Sequence, residues 1–402
     1  GFDKSLEILS EWLPLKVCEY ESGTEVLSWL VPQKWECQKA ELRKTNGEII
    51  FSKDYHPLHV VSYSESFKGE VKKEELFDHL YTQPDIPDAI PFRFKYYNKT
   101  WGLCCSSNQK KTLTDPKYFV EINASKEKGS LKVGEILKKG KSNKEFIFVA
   151  HLCHPHQFND DLSGVLMGME IMDWLSKMET KYTYRFIIVP ETIGSICWIS
   201  DHKKELKNCI GGTFLEMTGT HENLALQKSY KKDSFIDFIF ASEAEKIKDA
   251  IVGDFRKIVG NDEKQFNAPG VRKDFVSISR ARPESGKTTR HFIYYHTNKD
   301  TIENCNWENY LETFEFTKKC IQRLESEKLI KNKFEGEIFM SRYNLFEDKF
   351  QNPEMNQIIF DIMYEIDGSK SASMIAKKLN LPLTMVEKII IKFKVNNLVE
   401  LI

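Results

Sequence analysis

Imidazoles and carboxylates follow several apolar runs of the sequence, and these are the side chains that could do chemistry. His151, His154 and Asp160 come after the run 146–150, and Glu191 comes after the next such run. Neutral imidazole nitrogen and carboxylate oxygen are the ligands that Zn²⁺ takes in catalytic sites, which keep one position open for water. The pattern therefore predicts metal-assisted hydrolysis.

Two further runs end in the same kinds of side chain. Glu216 follows the run 212–215, and His296 follows the run 292–295, which we also predict to be a strand. Because ligands bind beyond the carboxyl ends of strands in open α/β sheets, we expect all of these side chains to converge at one sheet edge. A metal there would polarise a carbonyl, and Glu191 could take the proton of the attacking water.

The elements that must position these residues are those of an α/β domain with a mixed sheet. The runs 146–150 and 186–189 are continuously apolar, which is typical of strands buried on both faces. Between them, residues 162–177 carry an apolar stripe at helical spacing, so strand, helix and strand alternate. We predict a further strand at 212–215 and a closing helix at 307–324.

Changes of pattern divide the 402-residue chain into three parts. Short strand signals, an Asn-Gly hairpin dipeptide and a proline-rich bend predict a β-rich insertion over 31–105. Residues 1–30 and 106–335 are assigned to the α/β catalytic domain. A succession of helix, turn, helix and terminal strand over 341–402 predicts a winged-helix domain.

Composition and charge exclude several classes of protein. Hydrophobic residues make up 41% and charged residues 29%, which is the composition of an ordinary globular protein. No stretch approaches the ~18 apolar residues of a spanning helix, so we expect no membrane span. The 58 basic residues against 59 acidic ones give a net charge of -1, which disfavours nucleic acid as the main partner.

The cysteines bear on the compartment. There are nine, an odd number, with no CxxC pair, and several lie inside apolar runs where a reduced thiol packs as a small hydrophobe. The first residues also lack the basic, apolar and small-residue order of a signal peptide. We therefore predict reduced thiols and a cytoplasmic location.

Three motifs resemble those of the co-catalytic zinc aminopeptidases of the M28 clan. Residues 160–164 (DDLSG) resemble their D-[DN]-x-S-G motif, 191–195 (ETIGS) part of their E-E-x-G-x-x-G-S region, and 295–301 (YHTNKDT) their Y-H-T-x-x-D-T. The order H-x-x-C-H-P, N-D-x-L-S-G and P-E-T-I-G-S is still more similar to bacterial aminopeptidase-like proteins associated with polysaccharide biosynthesis. That resemblance covers essentially the whole chain and implies the same β insertion and C-terminal winged helix.

The resemblance implies a role for each candidate residue. It makes Asp160 the ligand that bridges two metals, His151 and Glu216 the other ligands of the first metal, and His296 a ligand of the second. It makes Glu191 the general base.

The resemblance implies one more role, for a tyrosine. Tyr295 matches a residue that helps to hold the tetrahedral oxyanion in some relatives.

The chain departs from the family pattern at two positions. Thr192 stands where the family has its second-metal glutamate, and Cys153 stands where it has the aspartate that orients the first histidine. Because a neutral hydroxyl offsets none of the metal's charge, we predict one tightly bound zinc and a second site that is weak or absent. His154 could fill the gap or contact substrate, and whether His151 or His154 is the principal ligand stays open.

These residues predict a zinc-dependent, aminopeptidase-like hydrolase that cleaves an amide or peptide bond in a small substrate. The alternative is a non-catalytic or weakly active peptidase-fold binding protein linked to polysaccharide biosynthesis, for which Thr192 is the best support. Whether the β insertion closes over the site or builds a homo-oligomer stays open. We also expect Asp161 to cap the helix that begins near Ser163, and Asp300 to fix the loop of His296.

Overall fold

The chain forms a large mixed sheet, a small antiparallel sheet and a C-terminal helical unit in the computed structural model, which describes residues 1–346 and 354–402. In chain order the strands are β1 (Lys16–Glu21), β2 (Glu25–Val26), β3 (Trp29–Leu30), β4 (Lys34–Lys44), β5 (Ile49–Ser52), β6 (Phe67–Lys72), β7 (Leu80–Tyr81), β8 (Leu103–Cys104), β9 (Lys117–Glu127), β10 (Ser130–Lys138), β11 (Glu145–His151), β12 (Thr183–Val189), β13 (Cys209–Glu216), β14 (Asn223–Gln227), β15 (Ile251–Gly253), β16 (Phe275–Pro283), β17 (Thr289–Arg290), β18 (Ile330–Asn332) and β19 (Val399–Leu401). The α-helices are α1 (Phe2–Trp12), α2 (Lys73–Asp78), α3 (Ser107–Lys111), α4 (Ser163–Ser176), α5 (Ile193–Asp201), α6 (Lys203–Asn208), α7 (Phe235–Ala244), α8 (Glu263–Asn267), α9 (Trp307–Ser326), α10 (Met355–Tyr364), α11 (Ala372–Leu379) and α12 (Leu383–Val395).

The large sheet has the strand order β1-β10-β12-β11-β13-β16-β14-β15, and β17 pairs with β16. Its centre is parallel, because β11 pairs in parallel with β12 and β13, and β13 pairs in parallel with β16. Antiparallel pairs flank this centre, so the sheet is mixed as predicted. The carboxyl ends of β11, β12 and β13 therefore lie side by side at one edge.

Both faces of the sheet centre are buried, which explains the continuous apolar runs. In β11, Phe146 and Phe148 pack into a cluster with residues of α4, α7 and α9, while Ile147 and Val149 pack on the other face with residues of α5. Alternating side chains of one strand thus serve two cores. The predicted strand–helix–strand unit is confirmed, with the helix at 163–176.

The small sheet has the strand order β5-β4-β9-β6 and is antiparallel throughout. It has its own apolar cluster, centred on Leu42, Phe51 and Val120. Its strand β9 lies beyond residue 105, where the sequence places the end of the β-rich insertion. The division of the chain at 31 and 105 stays a prediction.

The described residues of the C-terminal unit form three α-helices and one strand pair. Helices α10, α11 and α12 surround a shared core, and β19 pairs antiparallel with β18. The succession of helices and a terminal strand agrees with the pattern read from the sequence, while β18 precedes the predicted start at 341. Residues 347–353 of that predicted domain lie outside the described residues.

One predicted strand is wrong. Residues 292–295 form turns rather than a strand, so His296 reaches the sheet edge on a loop. The run FIYY is apolar because Phe292 and its neighbours pack in a cluster against Met217 and Ala281, not because it pairs in the sheet.

Among the described residues no helix is both long and apolar enough to cross a membrane. All nine cysteines carry free thiols.

A buried arginine links three strands of the large sheet. Arg185 on β12 lies 2.8 Å from Glu135 on β10, and its Nε and Nη2 donate to Glu145 on β11 at 2.9 and 3.0 Å. The indole of Trp198 also donates to Glu135, at 2.9 Å. Removing the arginine would take the nearest cation from both buried carboxylates, and Glu135 would keep only Lys16 and His202, at 3.9 and 3.5 Å.

We expect Arg185→Met to destabilise the α/β core by about 3–5 kcal/mol, because an uncompensated buried charge remains. The midpoint of urea unfolding, followed by circular dichroism, measures the loss. Lys177→Ala breaks an exposed pair with Asp173 and should leave the midpoint unchanged. Recovery of the midpoint on adding Glu135→Gln and Glu145→Gln would support this cause, and equal midpoints for Arg185→Met and the native chain would contradict it.

Candidate metal centre and active site

Four of the predicted ligands converge at the edge formed by β11 and β13. His151 Nε2 lies 3.3 Å from Asp160 Oδ1, and His296 Nε2 lies 3.2 Å from Asp160 Oδ2. His151, Asp160 and Glu216 each offer a ligand atom within 4.8 Å of the others, and all three side chains are buried. These four side chains therefore converge as predicted, and Glu216 is buried among them.

His154 completes a second group that shares Asp160. Its Nδ1 lies 3.5 Å from Asp160 Oδ1, and His154, Asp160 and His296 offer ligand atoms within 4.8 Å of one another. The other ring nitrogen, Nε2, lies 3.1 Å from Glu191 Oε2. An imidazole held on one nitrogen by a carboxylate, with the other nitrogen free, is the usual arrangement of a metal-ligating histidine.

The atoms that face one another in these two groups have no hydrogen-bond partner. Six buried polar atoms are left unpaired there: His151 Nε2, His154 Nδ1, Asp160 Oδ1, Asp160 Oδ2, Glu216 Oε2 and His296 Nε2. Buried polar atoms without partners are rare in folded proteins, since each costs about 1–3 kcal/mol. Nitrogen and carboxylate oxygen are also the donors that zinc prefers, so this set fits one or two zinc ions.

The protonation of the site reflects its crowded charges. Burial opposes ionisation of Asp160, but the neighbouring imidazoles, His154 first, hold its pKa well below the usual range. Burial, reinforced by the charge of Asp160, raises the pKa of Glu216 well above the usual range. Burial lowers the pKa of His154, but Asp160 and Glu191 outweigh it and raise that pKa to about 9. Positive charge is therefore favoured beside Asp160.

Glu191 lies at the end of β12, with its two oxygens held by different donors. Its Oε2 faces His154, and its Oε1 accepts from the side-chain amide of Asn261. Burial acts to raise the pKa of Glu191, but the imidazoles outweigh it, so the pKa is lowered and the carboxylate form is favoured. A fixed, ionised carboxylate beside the ligand groups can accept a proton from water.

Thr192 belongs to the support of Glu191. It occupies a tight turn with φ +65° and ψ −60°, closed by a hydrogen bond of 2.7 Å from Ile193 N to Glu191 O. Such γ-turns are strained and rare. Thr192 N donates to Asp262 Oδ1 at 2.9 Å, and Thr192 Oγ1 donates to Asn261 Oδ1 at 3.2 Å. The hydroxyl thus orients the amide that holds Glu191.

Tyr295 stacks between two imidazoles. Its ring lies 3.7 Å from that of His291 and 3.9 Å from that of His296, with both pairs nearly parallel. Burial, followed by the charges of Asp160 and Glu216, raises the pKa of Tyr295, so the phenol keeps its proton. A protonated phenol beside the ligand groups can donate a hydrogen bond to a developing oxyanion.

Asp161 ties the edge together. It accepts from Gly164 N at 3.1 Å, which confirms the predicted cap at the start of α4, and also from Met217 N at 3.0 Å and His151 N at 3.3 Å. The glycine is required here, because a Cβ at 164 would lie 2.4 Å from Leu215 O. One carboxylate therefore fixes the ends of two strands and a helix.

Asp300 ties the His296 loop to the bridging aspartate. Its carboxylate accepts from Asn159 N at 2.8 Å, Asn159 Nδ2 at 3.0 Å and Asp160 N at 2.9 Å. The sequence predicts that Asp300 fixes its own loop, and the structure shows that it also fixes the backbone of residues 159–160. The position of Asp160 thus depends on a residue 140 positions away.

Sequence reasoning misses Asn261 and Asp262. They lie just before α8, in a stretch without an apolar run or a family motif, so no signal assigns them to the site. It does identify Cys153, whose Sγ lies 3.9 Å from His151 Nδ1 and accepts from Glu191 N at 3.3 Å. The thiol of Cys153 is thus a weak hydrogen-bond partner for Nδ1 of His151.

The mixed sheet, with histidines and carboxylates at its edge, is the fold of the zinc-aminopeptidase class. A structure of a zinc aminopeptidase from Bacillus subtilis, BSAP, aligns with a TM-score of 0.58 and 16% identity, covering 80% of this chain and 88% of that one. The family "Domain of unknown function (DUF4910)" matches residues 1–327. The chain belongs to this family.

Two relatives come from Clostridium acetobutylicum. A curated sequence named "Putative polysaccharide biosynthesis protein with aminopeptidase-like domain" is 34% identical over 337 residues, which is 83% of this chain and 75% of the relative. A crystal structure of a "putative peptidase" aligns with a TM-score of 0.79 and 30% identity, covering 100% of this chain and 91% of the other. The alignment therefore includes the C-terminal unit of this chain.

We expect Asp300→Ala to lower the stability of metal-free protein by about 3 kcal/mol, because three buried donors lose their acceptor. Asp300→Asn is the matched control: it retains one acceptor oxygen and should lose less. The urea midpoint in the presence of EDTA gives both values. A midpoint for Asp300→Ala equal to that of the native chain would show that Asp300 does not hold residues 159–160.

Proposed function

We propose that the chain is a zinc-dependent, aminopeptidase-like hydrolase that cleaves an amide or peptide bond in a small substrate. The observation that carries the proposal is the convergence of six unpartnered, buried nitrogen and oxygen atoms around Asp160. The names of the relatives support the same class of activity. A zinc ion held there supplies a Lewis acid that polarises the scissile carbonyl and acidifies water.

Two zinc sites of unequal strength suit the ligand groups. His151, Asp160 and Glu216 bring two carboxylates and one imidazole, whereas His154, Asp160 and His296 bring one shared carboxylate and two imidazoles. The first group offsets more of the metal's charge and therefore binds more tightly. His154 takes the place of the carboxylate that is missing at Thr192, so the second site is weak rather than absent.

The protein's own groups supply the remaining steps. Glu191 accepts the proton of the attacking water at Oε2 and later returns it to the leaving nitrogen. Tyr295 donates its phenolic proton in a hydrogen bond to the oxygen that becomes negative. Asn261, fixed by Thr192, positions Glu191 and takes no proton itself.

The alternative of a non-catalytic binding protein rests on Thr192. That support weakens because Thr192 holds Asn261 while His154 stands at the second ligand group.

We also propose that residues 354–402 with β18 form a winged helix, and that the cytoplasm is the compartment. The name of the curated relative suggests an amide-bearing intermediate of polysaccharide biosynthesis as substrate.

Zinc titration of metal-free protein tests the ligand groups. We expect one tight zinc and a second that binds at least about tenfold more weakly, since its ligands carry less charge. His154→Ala should lose only the weak zinc, and Glu216→Gln should weaken the tight one. Isothermal titration calorimetry and the zinc content after dialysis measure both.

The matched control for these variants is His156→Ala. His156 is on the same loop as His154 but belongs to neither ligand group; its ring lies 5.7 Å from that of His56. It should bind zinc like the native chain. Two zincs bound firmly by His154→Ala would contradict the assignment of the second group.

We expect Glu191→Gln to lower kcat by roughly 10²–10⁴-fold on aminoacyl p-nitroanilides, because general-base catalysis is lost. Its tight zinc should remain, which separates loss of the base from loss of the metal.

Two variants of Thr192 test the positioning of the base. Thr192→Val removes the hydroxyl that orients Asn261 and should lower kcat by roughly tenfold with little change in KM, as expected when a base is misplaced. Thr192→Ser keeps the hydroxyl and should restore most of kcat. Equal kcat values for the Val and Ser variants would show that the hydroxyl does not position the base.

A further inference from the structure

A row of aromatic rings leads from the metal ligands toward the surface along residues 92–96. The sequence FRFKY alternates three aromatic residues with two cations. Phe92 and Phe94 lie 5.8 Å apart between ring centroids, and Phe94 and Tyr96 lie 5.0 Å apart. Because alternate side chains of an extended segment share one side, the rings form a single face, and Arg93 and Lys95 point away from it.

The row begins directly on the two histidines that share Asp160. The ring of Phe92 meets those of His154 and His296 edge-on, at 5.1 and 5.2 Å between centroids. Phe92 N also donates to His296 O at 2.7 Å, and Ile90 N donates to Asn298 Oδ1 at 2.8 Å. The aromatic segment is therefore fixed to the loop that carries a metal ligand.

The outer rings of the row remain accessible beside the base. Phe92 is buried, whereas Phe94 and Tyr96 keep 46% and 40% of their surface exposed. The ring of Tyr96 lies 5.0 Å from that of Phe94, which lies 5.8 Å from the Phe92 ring that packs on His154, and His154 Nε2 lies 3.1 Å from Glu191 Oε2. A substrate held between the ligand groups and Glu191 would have Phe94 and Tyr96 beside it.

We propose that Phe94 and Tyr96 form the side wall of a substrate pocket that selects a bulky apolar side chain next to the scissile amide. The inference rests on the proposed hydrolase function and adds its substrate class. Neighbouring rings of the row are tilted by 41° and 46°, so they form an apolar wall and not a flat platform for stacking a planar or sugar ring.

The test compares aminoacyl p-nitroanilides and the corresponding amides. We expect kcat/KM for the leucine substrate to exceed that for the alanine substrate by roughly 10- to 100-fold, since three further carbons are buried. Aspartate and lysine substrates should be cleaved less well than leucine. Phe94→Ala should reduce the leucine-to-alanine ratio to within about threefold of unity, and Phe94→Leu should retain most of it.

Tyr97→Ala is the matched control. Tyr97 adjoins Tyr96 and is 62% exposed, but its hydroxyl donates to Leu30 O at 2.7 Å on the neighbouring hairpin. It should keep the native ratio. Zinc content and the thermal midpoint of each variant separate a change of the pocket from a loss of fold.

A binding measurement separates this inference from the proposed function. Zinc-loaded Glu191→Gln protein, titrated calorimetrically with leucinamide and alaninamide, should bind leucinamide more tightly, and adding Phe94→Ala should remove the difference. Selective binding without hydrolysis by the native chain would sustain the pocket and overturn the hydrolase. Hydrolysis without selectivity, an unchanged ratio in Phe94→Ala, or preference for an amino-sugar amide over leucinamide would overturn the pocket. Neither hydrolysis nor selective binding would overturn both.

Discussion

The structure depends on the burial of one charged carboxylate, Asp160, at the carboxyl edge of a parallel sheet. Removing a carboxylate from water costs several kcal/mol unless opposite charge and hydrogen bonds replace its hydration. Here the backbone N–H of Asp160 is bonded, yet both of its carboxylate oxygens face other unpaired ligand atoms. Divalent cations bound by the two ligand groups would satisfy these atoms. Without an ion, the imidazoles around Asp160, His154 first, offset its charge.

Buried acids that are not themselves candidate ligands hold this arrangement in place. Asp161 fixes the ends of β11 and β13 and the start of α4 through backbone N–H groups. Asp300 fixes Asn159 and Asp160 from the opposite loop. Each of these acids is buried and fully engaged, so the ligand geometry is set by the protein before any ion binds. Preorganisation of this kind lets binding energy act on chemistry instead of on ordering loops.

The sequence predicts those parts of the site that follow buried strands. The runs before His151, Glu191 and Glu216 are apolar on both faces, and such runs define strand ends without knowledge of tertiary contacts. The run before His296 misleads because apolar packing does not distinguish a buried loop from a strand of the same length. Asn261 and Asp262 cannot be predicted, because they act through hydrogen bonds to Glu191 and Thr192 across 70 positions of chain.

The proposed use of His154 in place of a carboxylate at 192 would link the metal centre to the aromatic segment 92–96. A carboxylate at 192 would lie in the turn that joins β12 to α5. His154 instead lies on a loop, and its position depends on Glu191 on one side and on the ring of Phe92 on the other. Because Phe92 is hydrogen-bonded to the His296 loop, both imidazoles of the second group are backed by the same residue. A displacement of residues 90–96 would therefore shift the residue that backs both imidazoles together with the rings of Phe94 and Tyr96, so the proposed weaker site and the proposed pocket share one support.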